Sequence, residues 1–161
     1  GFMLVETKGI TELGLTFGNT WHVIGVVIAG ILLMGFLANC LVRWTKIRRP
    51  WIPYLLLVGT LVGGYLVSRA GGLPSTTLGR IATAALLTCP LFASGLVFST
   101  LLRSAEDIPG VMASNLLGAM FGGILEYNSM YFGFQFLYLL ALGLYVVAIL
   151  SSVVVPLRRK A

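Results

Sequence analysis

At 161 residues, 58% of them hydrophobic and only 10% charged, with a mean hydropathy of +0.97, the chain is far more apolar than an average soluble domain. Once its long apolar stretches are set aside, about 40 residues remain, fewer than the roughly 50 that a self-supporting soluble catalytic domain needs. The net charge of +6 does not point to nucleic acid, because the basic residues sit in short clusters beside apolar stretches, where they set topology and meet anionic lipid.

Residues 1–18 come first. Phe2, Met3, Val5, Ile10, Leu13, Leu15 and Phe17 are apolar, but Glu6, Lys8 and Glu12 interrupt them. The segment reads either as a sixth membrane helix or as a helix lying on the membrane surface. The opening Gly-Phe-Met has no charged region and cleavage site of a signal peptide, so the chain is expected to be a fragment of a longer polypeptide.

Five longer apolar stretches follow, at 20–42, 51–67, 81–102, 111–125 and 130–155. About 20 apolar residues cross the hydrocarbon core, somewhat fewer where flanking residues snorkel. Turn chemistry separates them: Pro50 and Pro53 around Trp51, the run 71–75, and the run 107–110 with Pro109 and Gly110. Pro90 sits mid-stretch and is expected to kink its helix. The pattern predicts an all-α, polytopic transmembrane helix bundle: five full spans and an N-terminal sixth helix, whole or partial, in a single domain over 1–161.

The loops orient it. Alternation puts Arg43, Lys46, Arg48, Arg49, Arg103, Arg158, Arg159 and Lys160 on one side and only Arg69 and Arg80 on the other. The positive-inside rule makes the richer side, with the C-terminus, cytoplasmic. The predicted location is the bacterial inner membrane.

Charges within spans cost at least ~2.5 kcal/mol each at mid-depth, so each is a candidate functional group. Lys8 and Glu12, four apart, can pair on one helix face, whereas Glu6 falls on another. Glu126 is expected near the outer surface, in a polar cluster with His22, Thr16 or Asn19. Asn115 projects on nearly the same face as Glu126, and Asn39 also lies within a span; interhelical hydrogen bonds are the expectation for both. His22, next to Trp21, reads as an interfacial side chain. Cys40 and Cys89 read as buried free thiols acting as small hydrophobes. No spacing suits a metal, no motif suits a cofactor, and no set of residues suits catalysis.

The glycine pairs Gly59/Gly63 and Gly118/Gly122 have the small-xxx-small spacing that lets helices approach closely. A tightly packed bundle is expected, with partners in the same chain or another.

Two ordered blocks carry a family resemblance. Residues 1–13 (GFMLVETKGITEL), followed by 17–21 (FGNTW) and a glycine-rich span, resemble bacterial membrane-integrated spermidine synthase-like proteins. So do residues 114–127 (SNLLGAMFGGILEY) with the aromatic-rich last helix. In that family a soluble aminopropyltransferase-like domain is fused to membrane helices. The resemblance covers only the membrane part, so no aminopropyl transfer is carried over to this stretch. It makes Glu6, Lys8, Asn115 and Glu126 candidates by motif position.

The expected function is that of a membrane-embedded structural or accessory module, without chemistry of its own. It would pack against other helices of a larger protein or complex, within the lipid bilayer. Half of a small-solute transporter, or the anchor of a spermidine synthase-like enzyme, are the alternatives.

Overall fold

The computed structural model describes residues 1–18, 20–45, 51–69 and 77–158, without side-chain detail at 77, 80, 81 and 152–158. Asn19, Lys46, Arg48, Arg49, Pro50, Arg159, Lys160 and the turn 71–75 lie outside the described residues. The described chain is all helix: α1 (Phe2–Phe17), α2 (Trp21–Thr45), α3 (Trp51–Arg69), α4 (Thr77–Ser104), α5 (Ile108–Glu126), the single turn α6 (Ser129–Phe132) and α7 (Phe136–Arg158). Of these, α2, α3, α4 and α5 are long and apolar enough to cross a membrane. A membrane location is consistent with that arrangement.

Residue contacts give the direction of each helix. Gly122 meets Met3 and Glu126 meets Thr7, so α1 and α5 run parallel. Gly95 meets Ala38, Ser99 meets Asn39 and Arg103 meets Val42, so α2 and α4 also run parallel. Gly9 lies against Leu87 and Leu91, while Gly1 to Met3 border a cavity shared with Ser94 and Ser99, which makes α1 antiparallel to α4. The bundle is therefore up-and-down, with α1, α3 and α5 running one way and α2, α4 and α7 the other.

The short, charged helix α1 lies at the centre. Leu4, Val5 and Leu13 of α1 pack with Leu57 and Leu61 of α3, Leu87 and Leu91 of α4, and Leu137, Tyr138 and Ala141 of α7. Its 16 residues span about 24 Å at 1.5 Å per residue, less than the ~30 Å hydrocarbon core. The alternative of a surface-lying helix is thereby corrected: residues 1–18 are wrapped by the other helices. The long helices instead expose their apolar faces, with Leu32 and Phe36 of α2 and Leu116, Leu117 and Phe121 of α5 all uncovered.

Local chemistry explains the boundaries. The Gly110 N–H donates to Asp107 Oδ1 at 3.1 Å, capping α5 just as Pro109 enters its first turn. A Cβ on Gly110 would meet the Asp107 carboxylate, so a larger residue there would push that exposed side chain out of its capping position. The last stretch differs from the single span over 130–155. Gly133 takes φ 81°, a backbone conformation favouring glycine, and ends α6; α7 starts afresh at Phe136. Aromatic residues on both sides of the break conceal it in the hydropathy, and the Phe132 and Phe136 rings meet across it at 4.8 Å. Helix α4 continues through Pro90, which is fully buried.

Candidate functional site

Two polar features lie inside the bundle: a row of charged residues on α1, and a cavity at the N-terminal end of that helix.

Lys8 is only 5% exposed. Its Nζ lies 2.8 Å from Glu12 Oε2, one turn along α1, and 5.6 Å from the centre of the Tyr138 ring on α7. A buried ammonium is tolerated only with such compensation, and an aromatic face adds attraction that grows with desolvation. The Lys8–Glu12 contact is one of charge, since Glu12 Oε2 has no aligned hydrogen-bond donor among the described residues. Glu6 is half-buried and makes no ion pair or hydrogen bond among the described residues.

Glu126 is placed differently from the expectation. The Thr7 hydroxyl donates to its Oε2 at 3.1 Å. Thr7 stands ten residues before Phe17, about 15 Å back along α1, whereas His22 is exposed beside exposed Trp21 just beyond that end. The expected cluster of Glu126 with His22 or Thr16 is thus corrected; Asn19 lies outside the described residues. The parallel register of α1 and α5 draws Glu126 down α1 to Thr7. Asn115, on the same helix face as Glu126, is about 16 Å away along α5 and serves a different place: it is exposed and borders the cavity. Asn39 accepts a hydrogen bond from the Ser99 hydroxyl, joining α2 to α4.

The glycines divide. A Cβ on Gly122 would come to 2.9 Å from Met3 Cβ, so Gly122 is a helix contact. A Cβ on Gly118, Gly59 or Gly63 would meet nothing within 4 Å. The helix contact expected at Gly118 is corrected, since Gly118 faces the cavity; Gly59 and Gly63, whose partner the sequence leaves open between this chain and another, leave a bare strip on α3. Cys89 is exposed on α4 rather than buried, and Cys40 is partly buried; both thiols are free.

The cavity measures about 480 Å³. Its roof is the first turn of α1, and Met3, Val97 and Phe98 give it apolar wall. Into it face Tyr54 of α3, Ser94 and Ser99 of α4, and Tyr145 of α7, with Asn39 and Asn115 at its rim. The Ser94 hydroxyl donates to the Leu91 carbonyl at 2.9 Å, on the same cavity wall as Tyr145. No charged side chain lines the cavity among the described residues. Sequence reasoning missed the two tyrosines and Ser94, because a Tyr or Ser in an apolar helix is read as packing. The available signal was that Tyr145 sits in mid-span, away from the membrane interfaces where Tyr is common. No group of three potential metal-ligating residues occurs among the described residues.

The chain matches no known family model, no curated protein and no solved structure.

Proposed function

We propose that this chain is a membrane-embedded accessory module that packs against other helices of a larger protein or complex in the bacterial inner membrane, with its C-terminus cytoplasmic and no reaction of its own. One observation carries the reading. Gly59 and Gly63, one turn apart near the middle of α3, stand bare on the outside of the bundle, with nothing within 4 Å of where a side chain would be. Glycine weakens a helix by about 0.5–1 kcal/mol relative to alanine and gains nothing against lipid. A second helix laid into the groove recovers that cost through close backbone approach. The test is crosslinking in cells. Cysteine at Gly59 or Gly63 should form a discrete adduct with a neighbouring helix, and leucine at both should abolish that association while leaving the melting of the isolated bundle unchanged. Absence of any adduct from either cysteine would defeat the reading.

A second reading, the anchor of a spermidine synthase-like enzyme, draws support from the placement of the two resembling blocks. Residues 1–13 and 114–127 belong to α1 and α5, and they meet through Met3–Gly122 and Thr7–Glu126. A coding sequence upstream of Gly1 with a strand, a glycine loop and a helix would favour it; any other pattern there would count against it.

A further inference from the structure

We propose that the side of α1 bearing Glu6 is a docking surface for one transmembrane helix of another chain, a helix that carries a Lys or Arg at mid-depth to pair with the Glu6 carboxylate. This rests on the accessory-module reading, and gives the chemistry of a partner met through helices other than α3.

Glu6 stands at mid-depth. Gly9 lies against Leu87 and Leu91 of α4, and Gly1 to Met3 share a cavity wall with Ser94 and Ser99. Glu6 is therefore level with residues 91–94, the middle of the apolar stretch of α4 at 82–104. A carboxylate at that depth is costly without a counter-charge.

The described residues supply none. Glu6 makes no ion pair or hydrogen bond among them. The positions one turn away on its own helix, Phe2, Met3, Gly9 and Ile10, are uncharged. Lys8, two residues on, points to the opposite side, where it meets Glu12 and the Tyr138 ring. Helix α5 contains no Lys or Arg, and α2 has only Arg43, in its last turn.

The same side of α1 is partly open. At about 100° per residue, Glu6 falls between the side that touches α5 through Met3 and Thr7 and the side that touches α4 through Gly9. Glu6 and Ile10, one turn apart, are both only half-buried there. Helices α2 and α5 flank this side: α2 packs on α4 and α1, α5 packs chiefly on α1, and the two scarcely touch each other. They are also the least buried of the four long apolar helices. A helix laid between them along α1 covers both apolar faces and brings its cation to the carboxylate, the arrangement in which intramembrane charges persist.

The experiment uses the purified protein in nanodiscs and a synthetic leucine–alanine transmembrane helix with one central lysine and a diazirine-bearing leucine one turn from it. The lysine helix should crosslink to α2 and α5 about tenfold more than the same helix with leucine in place of lysine. Glu6→Gln, which keeps the side-chain volume, should bring the lysine helix down to the level of the leucine helix without lowering the melting temperature. Gly59→Leu with Gly63→Leu should leave this crosslinking intact, so its failure and failure of the α3 contact are read separately. Crosslinks that are absent, ignore Glu6→Gln or fall on α3 would overturn the proposal. So would dodecylamine competing as well as unlabelled lysine helix, which would assign the carboxylate to a cationic amphiphile instead.

Discussion

The Thr7 hydroxyl donates to Glu126 Oε2 at 3.1 Å, one turn beyond the point where Gly122 meets Met3. These two contacts set the register of α1 against α5, and they work together. Gly122 removes the side chain that would hold the helices apart, and the approach it permits brings a hydroxyl within reach of a carboxylate. A carboxylate facing hydrocarbon without a donor would be costly, so the helix that supplies the donor is also the helix that fixes the bundle's centre.

Removal of that donor is therefore expected to weaken the α1–α5 contact. Thr7→Val should lower stability by about 1 kcal/mol, in line with polar interactions between membrane helices, and Thr7→Ser should be nearly neutral. A double-mutant cycle with Glu126→Gln, measured by denaturant titration in micelles, isolates the pair. Strictly additive effects would show that the two side chains are not coupled.

The glycine pair on α5 gives a sharper contrast. Gly122→Leu forces a side chain into Met3 and should cost about 1–3 kcal/mol by overpacking, read as a lowered melting temperature. Gly118→Leu, on the same helix and four residues earlier, opens onto space and should leave melting unchanged. Equal losses at the two positions would contradict the placement of Gly118 at the cavity.

The sequence makes the number of helices and their ends largely legible. Hydropathy marks each long helix, and Asp107, Pro109 and Pro53 punctuate them. Two elements escaped it for identifiable reasons. The break at Gly133 lies between aromatic residues, so hydropathy runs straight across it; only the backbone angle of one glycine reveals it. Helix packing escaped because these helices are apolar all round, so periodicity cannot tell a core face from a lipid face. Spacing alone therefore could not separate Gly122, which touches α1, from Gly59 and Gly63, which touch nothing in the bundle. The Lys8–Glu12 pair was readable because i,i+4 geometry is local. The partner of Glu126 was not, because it depends on the parallel register of two helices more than 100 residues apart in sequence.

Arg103 bears on orientation. Its Nη1 donates to the Val42 carbonyl at 3.0 Å, fastening the ends of α2 and α4 together and placing Arg43 and Arg103 at one end of the bundle. By the positive-inside rule that end is expected to be cytoplasmic. With Cys40 and Cys89 replaced by alanine, a cysteine at exposed Ser104 should react with an impermeant maleimide only after cells are opened. A cysteine at Tyr131, which is 89% exposed at the other end, should react in intact cells. The reverse pattern would invert the bundle.

The most demanding prediction concerns the charge at the centre. Lys8 is 5% exposed and the Glu12 side chain 21% exposed, so the two sites do not lose solvent equally. Replacing one partner strands the other. Lys8→Met leaves a carboxylate beside the apolar core, but one that retains some access outward; Glu12→Gln leaves an ammonium with only the Tyr138 ring for company. Glu12→Gln should therefore be the more damaging of the two, costing about 3 kcal/mol, the lower part of the range for breaking a buried pair. The double variant Lys8→Met with Glu12→Leu removes both charges at similar volume, and buried pairs exchanged in this way are often neutral or stabilising. It should recover most of the stability in the same denaturant titration. If the double variant loses the sum of the two single losses, the charges act independently and the 2.8 Å contact contributes nothing to the fold.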